Sequence, residues 1–427
     1  MRTVLALAAV GAAIPAGASQ PARYKLVCAG RATNGAKPLA GTRYEAGKQD
    51  FGFDPMASPR VTEGACHGDK PFFVSVTEPD GDYRVTVVLG NDAASATTTV
   101  KAEARRLMLE GVATQAGRKA KRSFVVNVRT PEVSANERVR LKPREIGNLD
   151  WDGKLTLEFV GHDPSVRSIE VAPARVPTVY IAGDSTVVDQ DKEPWAAWGQ
   201  ILPVFFNGKI AIANEAESGE TIASFVGEYR FDKIFGAIRA GDYLLMQFAH
   251  NDQKPGRGFV PIPEYKDLLR RYIRTARRRG AHPILVTSMS RRFFAPDGKI
   301  KPTLGGYPEA MREVAREQKA PLIDLNAMSK TLFEAMGPEG TLKAFVHYPA
   351  NTFPDQPKAL ADNTHFNSYG ALELAKCMVQ SIREQHLPLA KFLRRGVPQF
   401  NPAHPDPPGV WRVPPDPFWS VQTPYER

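Results

Sequence analysis

The second half of the chain contains four short polar segments whose residue types suit the hydrolysis of an ester by a serine. These segments are residues 183–186, 214–219, 248–252 and 362–365. Such hydrolysis needs a nucleophilic hydroxyl, a base that takes its proton, a carboxylate that orients the base, and donors for the oxyanion. We take Ser185 as the candidate nucleophile and His365 as the candidate base. Asp362, three residues before His365, is the candidate carboxylate because it can fix the imidazole tautomer.

Three groups in these segments are candidate donors for an oxyanion. They are the backbone N–H of Ser185, the backbone N–H of Gly219 and the side-chain amide of Asn251. Each signal has an ordinary alternative: Gly-Asp-Ser also makes a turn and helix cap, Asp and His also cap helices, and Asn also occupies turns. The informative observation is their joint occurrence in this order, each at a predicted strand end. Residues 183–187 end in Val, so the G-x-S-x-G pattern of α/β-hydrolases is absent.

The elements around these segments predict an α/β domain. Buried-type strands are predicted at 179–182, 211–214, 243–248, 283–287 and 321–325. Helices are predicted at 195–206, 231–239, 262–279, 308–318 and 368–385. Strands that alternate with helices favour a mostly parallel sheet, and ligands of such sheets bind beyond the carboxyl ends of the strands. The four polar segments are therefore expected to meet there.

The first half of the chain has a different pattern. Short runs at 72–76, 83–89, 97–100, 123–128, 138–141 and 155–160 are separated by Gly, Pro, Asn and Asp. Several short strands with such turns predict a β-sandwich or jelly roll over residues 24–172. Proline recurs from residue 396 to the end, which predicts an extended tail without regular structure.

The composition and the first residues indicate an exported globular protein. The 427 residues are 42% hydrophobic and 24% charged, a balance that excludes a disordered chain. Residues 1–18 combine a basic start, a short apolar run and a small-residue end, which predicts a cleaved signal peptide and a location in the periplasm or the medium. No later stretch approaches the roughly 18 apolar residues of a membrane-spanning helix. The net charge of +10 favours anionic partners, but no nucleic-acid motif accompanies it.

The chain has three cysteines. In an oxidising compartment Cys28 and Cys66, which both lie in the first half, can form a disulfide. Cys377 lies in an apolar helical pattern and is expected to be a buried free thiol. No Cys or His pair has the spacing of a zinc site, so we expect no metal, and serine hydrolysis needs no cofactor.

Residues 178–389 resemble a known family. The segments 178–186, 240–243, 250–252 and 362–365 are similar to those of the SGNH (GDSL-type) hydrolases, and most of all to the rhamnogalacturonan acetylesterases of carbohydrate esterase family 12. The resemblance implies a flavodoxin-like SGNH domain at 178–395, with a galactose-binding-like β-sandwich before it as an accessory domain. Two residues depart from the family pattern: Ala249 stands where the family usually has Gly, and Glu220 stands where it often has Arg.

The resemblance also implies a substrate, an acetylated acidic polysaccharide of the pectin type. Arg291 and Arg292 follow a predicted strand and are candidates to bind its carboxylates, although a solvent-exposed pair is the alternative. His250 either shapes the site beside Asn251 or is a core histidine. Two further functions stay open. The first is another enzyme of this type, either a broader carbohydrate acetylesterase, for example on xylan, or another GDSL esterase or lipase. The second is a non-catalytic polysaccharide-binding protein. The oligomeric state is open, with a monomer as the expectation.

Overall fold

The computed structural model describes residues 22–28, 35–54, 59–62, 64–256, 258–409 and 413–424. The predicted signal peptide at 1–18 lies outside the described residues. Across those that are described, no helix is long and apolar enough to cross a membrane.

The first half of the chain, called here the β region (residues 22–173), forms two sheets. Its strands are β1 (Tyr24–Val27), β2 (Lys37–Pro38), β3 (Phe51–Phe53), β4 (Arg60–Thr62), β5 (Ala65–His67), β6 (Phe72–Thr77), β7 (Gly81–Leu89), β8 (Ala96–Ala102), β9 (Arg106–Thr114), β10 (Ala120–Val128), β11 (Lys154–His162) and β12 (Ser165–Pro173). One sheet has the order β10-β7-β12-β1-β2, with β5 added beside β12 and β4 beside β5. The other has the order β3-β6-β11-β8-β9. Among the described residues of this region, β1 pairs with β2 in parallel and the other strand pairs are antiparallel.

The two sheets share one apolar core. Alternate residues of β7 are buried in it, from Tyr83 to Leu89, as the two-residue period of a strand requires. Phe72 on one strand and Phe159 on another stack with ring centroids 5.1 Å apart. A disulfide joins Cys28 to Cys66, with the two Cα atoms 5.3 Å apart, so the chain after β1 is tied to β5.

The second half, called here the α/β region (residues 178–392), contains a parallel sheet. Its strands are β13 (Thr178–Gly183), β14 (Ala211–Asn214), β15 (Tyr243–Gln247), β16 (His282–Val286) and β17 (Leu322–Ile323), and a separate antiparallel pair is β18 (Phe345–Tyr348) with β19 (Leu360–Phe366). The helices are α1 (Trp198–Ile201), α2 (Ile222–Gly227), α3 (Arg230–Ala237), α4 (Ile262–Arg278), α5 (Tyr307–Gln318), α6 (Leu325–Thr341) and α7 (Ser368–Glu384). The predicted α/β domain with a parallel sheet is confirmed.

The strand order places a binding crevice beside β13. The order β14-β13-β15-β16-β17 is that of flavodoxin-like sheets, in which the direction of winding reverses between the first and third strands. Val179 and Ile181 of β13 contact one apolar cluster, while Tyr180 and Ala182 contact the other, so both faces of the sheet are covered. The crevice therefore opens at the carboxyl ends of β13 and β15.

Buried arginines of the β region enter the α/β region. The Nε atom of Arg106 lies 2.7 Å from Oδ2 of Asp189, and both side chains are buried. Arg129 lies 3.8 Å from Glu215, measured between Nε and Oε2, and 3.3 Å from Asp150, measured between Nη2 and Oδ2. These charges are removed from water, so water screens the attraction between them only a little. Each arginine meets a carboxylate of the other region, so the pairs exist only while the two regions are packed together.

The tail lies across both regions. Among residues 396–409 and 413–424 the structure shows no helix or strand, apart from an isolated bridge between Glu193 and Trp419. The indole Nε1 of Trp195 donates to the carbonyl of Ser420 at 2.8 Å, and Lys101 of the β region donates to the carbonyl of Pro414 at 3.0 Å.

Two elements predicted from the sequence are wrong. Residues 138–141 form no strand; Arg138 makes one isolated bridge, and a short 3-10 helix follows at Pro143–Glu145. Residues 195–206 do not form one helix, because α1 ends at Ile201 and continues as a 3-10 helix over Leu202–Phe205. Pro203 lacks the amide hydrogen that an α-helix needs there.

Among the elements missed in the sequence-based prediction are β9, β12 and α6. Strand β9 carries charged residues that obscure the alternation, and the register of β12 shifts between Val166 and Ser168, which breaks the two-residue period. Helix α6 was missed because its sequence contains Gly337 and Pro338, and the helix is interrupted at Gly337, where φ is +71°.

Replacement of Arg106 tests the interface between the regions. Arg106→Met leaves Asp189 buried without its cation, so we expect the free energy of unfolding in urea to fall by about 3–5 kcal/mol. As a control, Arg316→Met removes an exposed ion pair with Glu309 and is expected to leave stability nearly unchanged. Equal stability of the two variants would contradict a structural role for the buried pair.

Candidate active site

Ser185 lies in a turn immediately after β13. The turn is closed by the amide of Val187, which donates to the carbonyl of Asp184 at 2.9 Å. Glycine is required at position 183, because a Cβ there would lie 2.7 Å from Cγ2 of Val187 and 3.0 Å from the carbonyl oxygen of Gln247. The strand end thus approaches β15 closely and presents Ser185 at the edge of the sheet.

Buried polar groups stabilise this turn by hydrogen bonds. Asp184 accepts from the amide and the hydroxyl of Thr186, at 2.9 and 2.7 Å. The Thr186 hydroxyl accepts in turn from the side chain of Gln247 at 2.8 Å, and Gln247 accepts from the indole of Trp198 at 2.9 Å. The orientation of the turn is therefore fixed by hydrogen bonds to β15 and α1.

Ser185, His365 and Asp362 form a continuous chain of hydrogen bonds. The Nε2 atom of His365 lies 2.9 Å from Oγ of Ser185, and Nδ1 lies 2.8 Å from Oδ2 of Asp362. The three residues are buried. With Nδ1–H donating to the carboxylate, Nε2 is left to accept the proton of the Ser185 hydroxyl.

Asp362 stays ionised in this arrangement. Its burial opposes the charge, but hydrogen bonds from the His365 ring and from the amides of His365 and Thr364 lower its pKa below the usual range. The two amides donate to Oδ1 at 2.8 and 2.6 Å. The stability that these bonds contribute is present at neutral pH and is lost only as the pH falls through the lowered folded-state pKa.

The position of His365 was predicted only in part. The segment 362–365 lies within β19 of the β18–β19 hairpin and directly before α7, not at the carboxyl end of a strand of the parallel sheet. The edge of the Trp195 ring packs against the imidazole, with centroids 5.7 Å apart. The hairpin and Trp195 thus bring the histidine to a serine 180 positions earlier in the chain.

The loop that carries Gly219 is connected to the serine turn. The amide of Glu217 donates to the carbonyl of Gly183 at 3.2 Å. The side-chain amide of Asn251 donates to the carbonyl of Glu220 at 2.9 Å, which leaves its second N–H for another acceptor. Gly219 has a φ of +79°, a left-handed conformation that favours glycine.

An open cavity of about 240 Å³ adjoins the serine. Its lining residues are Ser185, His250, Asn251, Lys254, Arg291, Phe293, Thr364 and His365. Lys254 donates to the side-chain carbonyl of Asn251 at 2.7 Å and so orients that amide. The pKa of Lys254 is lowered mainly by burial and also by the nearby positive charge of Arg291. The cavity combines Ser185 with two cationic side chains.

Of the three predicted substrate contacts, His250 and Arg291 line this cavity and Arg292 does not. His250 is buried with Nε2 3.4 Å from Sδ of Met289, and its pKa is lowered well below its usual value by burial and by Arg291, so the ring is neutral. Arg291 lines the cavity and donates to the carbonyl of His250 at 3.1 Å. Arg292 is directed elsewhere and donates to Thr341, Asn363 and Pro338.

Sequence reasoning missed several residues around the site. Lys254 and Phe293 carry no motif that distinguishes them from other loop residues. Lys142 and Arg144 contact the carbonyl of Ser218, although they belong to the β region. Lys142 is 76 positions from Ser218 in the chain, so no local spacing reveals the contact.

Comparison with known proteins identifies a family and several relatives. Residues 181–371 match the GDSL-like Lipase/Acylhydrolase family. Rhamnogalacturonan acetylesterase RhgT of Bacillus subtilis (strain 168) is 45% identical over 217 residues, which are 50% of this chain and 93% of RhgT. The probable rhamnogalacturonan acetylesterase YesY of the same organism is 35% identical over 219 residues, 50% of this chain and 96% of YesY. The crystal structure of Bacillus subtilis protein YxiM covers 86% of this chain and 99% of YxiM, with 25% identity and a TM-score of 0.48.

The family match and the parallel sheet identify a hydrolase of the SGNH type. The chain belongs to the GDSL-like lipase/acylhydrolase family, in its rhamnogalacturonan acetylesterase-like branch, and is a carboxylic ester hydrolase.

Replacement of the carboxylate tests the arrangement. Asp362→Asn no longer holds Nδ1 protonated, so Nε2 is not available as the base and kcat for p-nitrophenyl acetate is expected to fall by roughly 10⁴-fold. The surface substitution Asp267→Asn on α4 serves as the matched carboxylate-to-amide control. A kcat within a few-fold of the parent would exclude Asp362 from this role.

Proposed function

We propose that this chain is a secreted acetylesterase that removes acetyl groups from rhamnogalacturonan by a Ser–His–Asp mechanism. The observation that supports it best is the hydrogen-bonded chain from Ser185 through His365 to Asp362, which borders an open cavity containing Lys254 and Arg291. The names of RhgT and YesY point to the same substrate class.

The first step forms an acetyl-enzyme. Oγ of Ser185 attacks the carbonyl carbon of the acetyl ester while Nε2 of His365 takes the hydroxyl proton. Asp362 stabilises the imidazolium that results. The tetrahedral intermediate then collapses, the bond to the sugar oxygen breaks, and this oxygen takes the proton from His365.

The negative charge on the tetrahedral intermediate needs donors that are already in place. The backbone N–H groups of Ser185 and Gly219 and the side-chain amide of Asn251 are the proposed donors. Each donor of this kind typically contributes about 3 kcal/mol to the stabilisation of the transition state. The hydrogen bond from Asn251 to Glu220 fixes two of the three relative to one another.

The second step releases acetate. Water that loses a proton to Nε2 of His365 attacks the acetyl carbonyl, a second oxyanion forms among the same donors, and collapse returns the proton to Ser185 Oγ. The reaction needs neither a metal nor a cofactor.

Charge supports an acidic polymer as the substrate. Lys254 and Arg291 line the cavity beside Ser185, and a guanidinium can bind a carboxylate with two parallel hydrogen bonds. Rhamnogalacturonan carries the carboxylates of galacturonate, and the net charge of +10 favours the approach of such a polyanion.

The remaining regions are assigned supporting roles in this proposal. Residues 1–18 act as a cleaved signal peptide, and residues 24–172 form a β-sandwich accessory domain before the SGNH domain at 178–395. The described parts of the Pro-rich tail, residues 396–409 and 413–424, extend over both. The protein is expected to act as a monomer in the periplasm or the medium.

Acetate release distinguishes the candidate functions. The intact protein is expected to release acetate from acetylated rhamnogalacturonan, and Ser185→Ala is expected to abolish the release, as measured by an enzymatic acetate assay. Release from acetylated xylan alone would retain the mechanism and contradict the pectic substrate. Release by Ser185→Ala would contradict the nucleophile, and release from neither polymer by the intact protein would favour the polysaccharide-binding alternative.

The role of the cavity charges has its own test. Arg291→Met is expected to raise KM for acetylated rhamnogalacturonan about tenfold, since a tenfold change corresponds to about 1.4 kcal/mol, a usual value for a charged hydrogen bond. The KM for neutral p-nitrophenyl acetate should stay within a factor of about two on the same reasoning. Arg291→Lys is the control and should retain most of the affinity. Equal effects on both substrates would exclude carboxylate recognition.

A further inference from the structure

We infer that Lys142 and Arg144 of the β region are positioning residues for the Gly219 amide, so that the β region takes part in the oxyanion site. The inference rests on the proposed function, because it concerns one of the proposed oxyanion donors. It goes beyond that function in assigning a catalytic contribution to a part of the chain outside the SGNH domain.

Two cations converge on one carbonyl group. Nζ of Lys142 donates to the carbonyl oxygen of Ser218 at 2.7 Å, and Nη2 of Arg144 donates to the same oxygen. A Cβ placed on Gly219 would lie 3.7 Å from Nη2 of Arg144 and 3.8 Å from Nζ of Lys142. Both side chains thus contact the peptide group between Ser218 and Gly219.

Because the peptide group is rigid, contacts to the Ser218 carbonyl also set the direction of the Gly219 N–H. The carbonyl of Ser218 and the N–H of Gly219 belong to the same rigid plane, and in a trans peptide they point in opposite directions. Cations that hold the carbonyl on one side therefore direct the N–H to the other side. They also polarise the peptide group, which strengthens the N–H as a donor.

The two cations are themselves held by carboxylates of the α/β region. Lys142 forms an ion pair with Glu220, and Nε of Arg144 donates to Oε1 of Glu217 at 2.7 Å. Glu217 and Glu220 flank Ser218 and Gly219, so the ion pairs anchor both sides of the loop. Because these ion pairs lie on both sides of the Ser218–Gly219 peptide, they restrain this loop specifically and do more than hold the two regions together.

A separate set of contacts fixes the backbone that presents these cations. The amide of Lys142 donates to Oε2 of Glu145 at 2.8 Å, across the 3-10 helix at Pro143–Glu145. The same carboxylate lies 2.5 Å from Nη2 of Arg230, and both of these side chains are buried. The segment that carries Lys142 and Arg144 is therefore rigidly attached to the start of α3.

The test compares Lys142→Met and Arg144→Met with Arg84→Met. Arg84 is the matched control, because it also extends from the β region to a backbone carbonyl of the α/β region, that of Gly208 at 2.7 Å. Hydrolysis of p-nitrophenyl acetate is the readout, since this small ester needs the nucleophile and the oxyanion donors but no polysaccharide contact. Inhibition by a trifluoromethyl ketone, whose adduct with serine carries an oxyanion, is measured in parallel.

We expect kcat to fall by about 10- to 100-fold in each of the two variants, less than the loss of a whole donor, with KM nearly unchanged. Affinity for the ketone should fall by the same factor. Arg84→Met should retain kcat, and Arg144→Lys should recover part of the loss because it keeps a cation near the Ser218 carbonyl.

An unchanged kcat in folded Lys142→Met and Arg144→Met would overturn the inference, as would an equal loss in Arg84→Met. Lys142 is 23% exposed at its side chain, so Lys142→Met carries the test if Arg144→Met does not fold. The proposed function fails separately, if Ser185→Ala keeps the activity. Loss of activity in Ser185→Ala together with full activity in both cation variants would retain the mechanism and remove only the positioning role.

Discussion

The attraction between buried charges at the junction of the β region and the α/β region is the constraint on which the rest of the structure depends. Arg106 and Arg129 are removed from water and face Asp189 and Glu215 of the other region. A buried ion whose counter-ion is removed while it stays buried is strongly unfavourable, so each of these side chains needs the opposite charge of the other region in place. The two halves are thereby held in one arrangement.

That arrangement supports the active site on two sides. Arg105, next to Arg106, donates to the carbonyls of Gln190 and Trp195 at 3.0 and 2.9 Å, and the Trp195 ring packs against His365. On the other side, Lys142 and Arg144 contact the loop of Gly219. The β region thus contacts both the residue that packs against His365 and the loop that carries Gly219.

Much of the α/β region was predictable because its signals are local. Buried parallel strands are short apolar runs, and the structure places β13, β14, β15 and β16 within one or two residues of the predicted bounds. The Gly-Asp-Ser turn follows from the close approach of β13 to β15, which only glycine at 183 permits. Where a signal was disturbed, by Pro203 in the predicted helix at 195–206 or by the shifted register of β12, the prediction failed.

The sequence by itself determined which residue types are available for chemistry and which strands and helices carry most of them, because these depend on neighbours in the chain. Only the tertiary structure decided that His365 reaches Ser185 from a hairpin outside the parallel sheet, that Arg291 lines the cavity while Arg292 does not, and that Lys142 and Arg144 contact the loop of Gly219. These contacts join residues far apart in the chain. They depend on how the two regions pack, and the free energy of that packing comes from burial and ion pairs that no local pattern encodes.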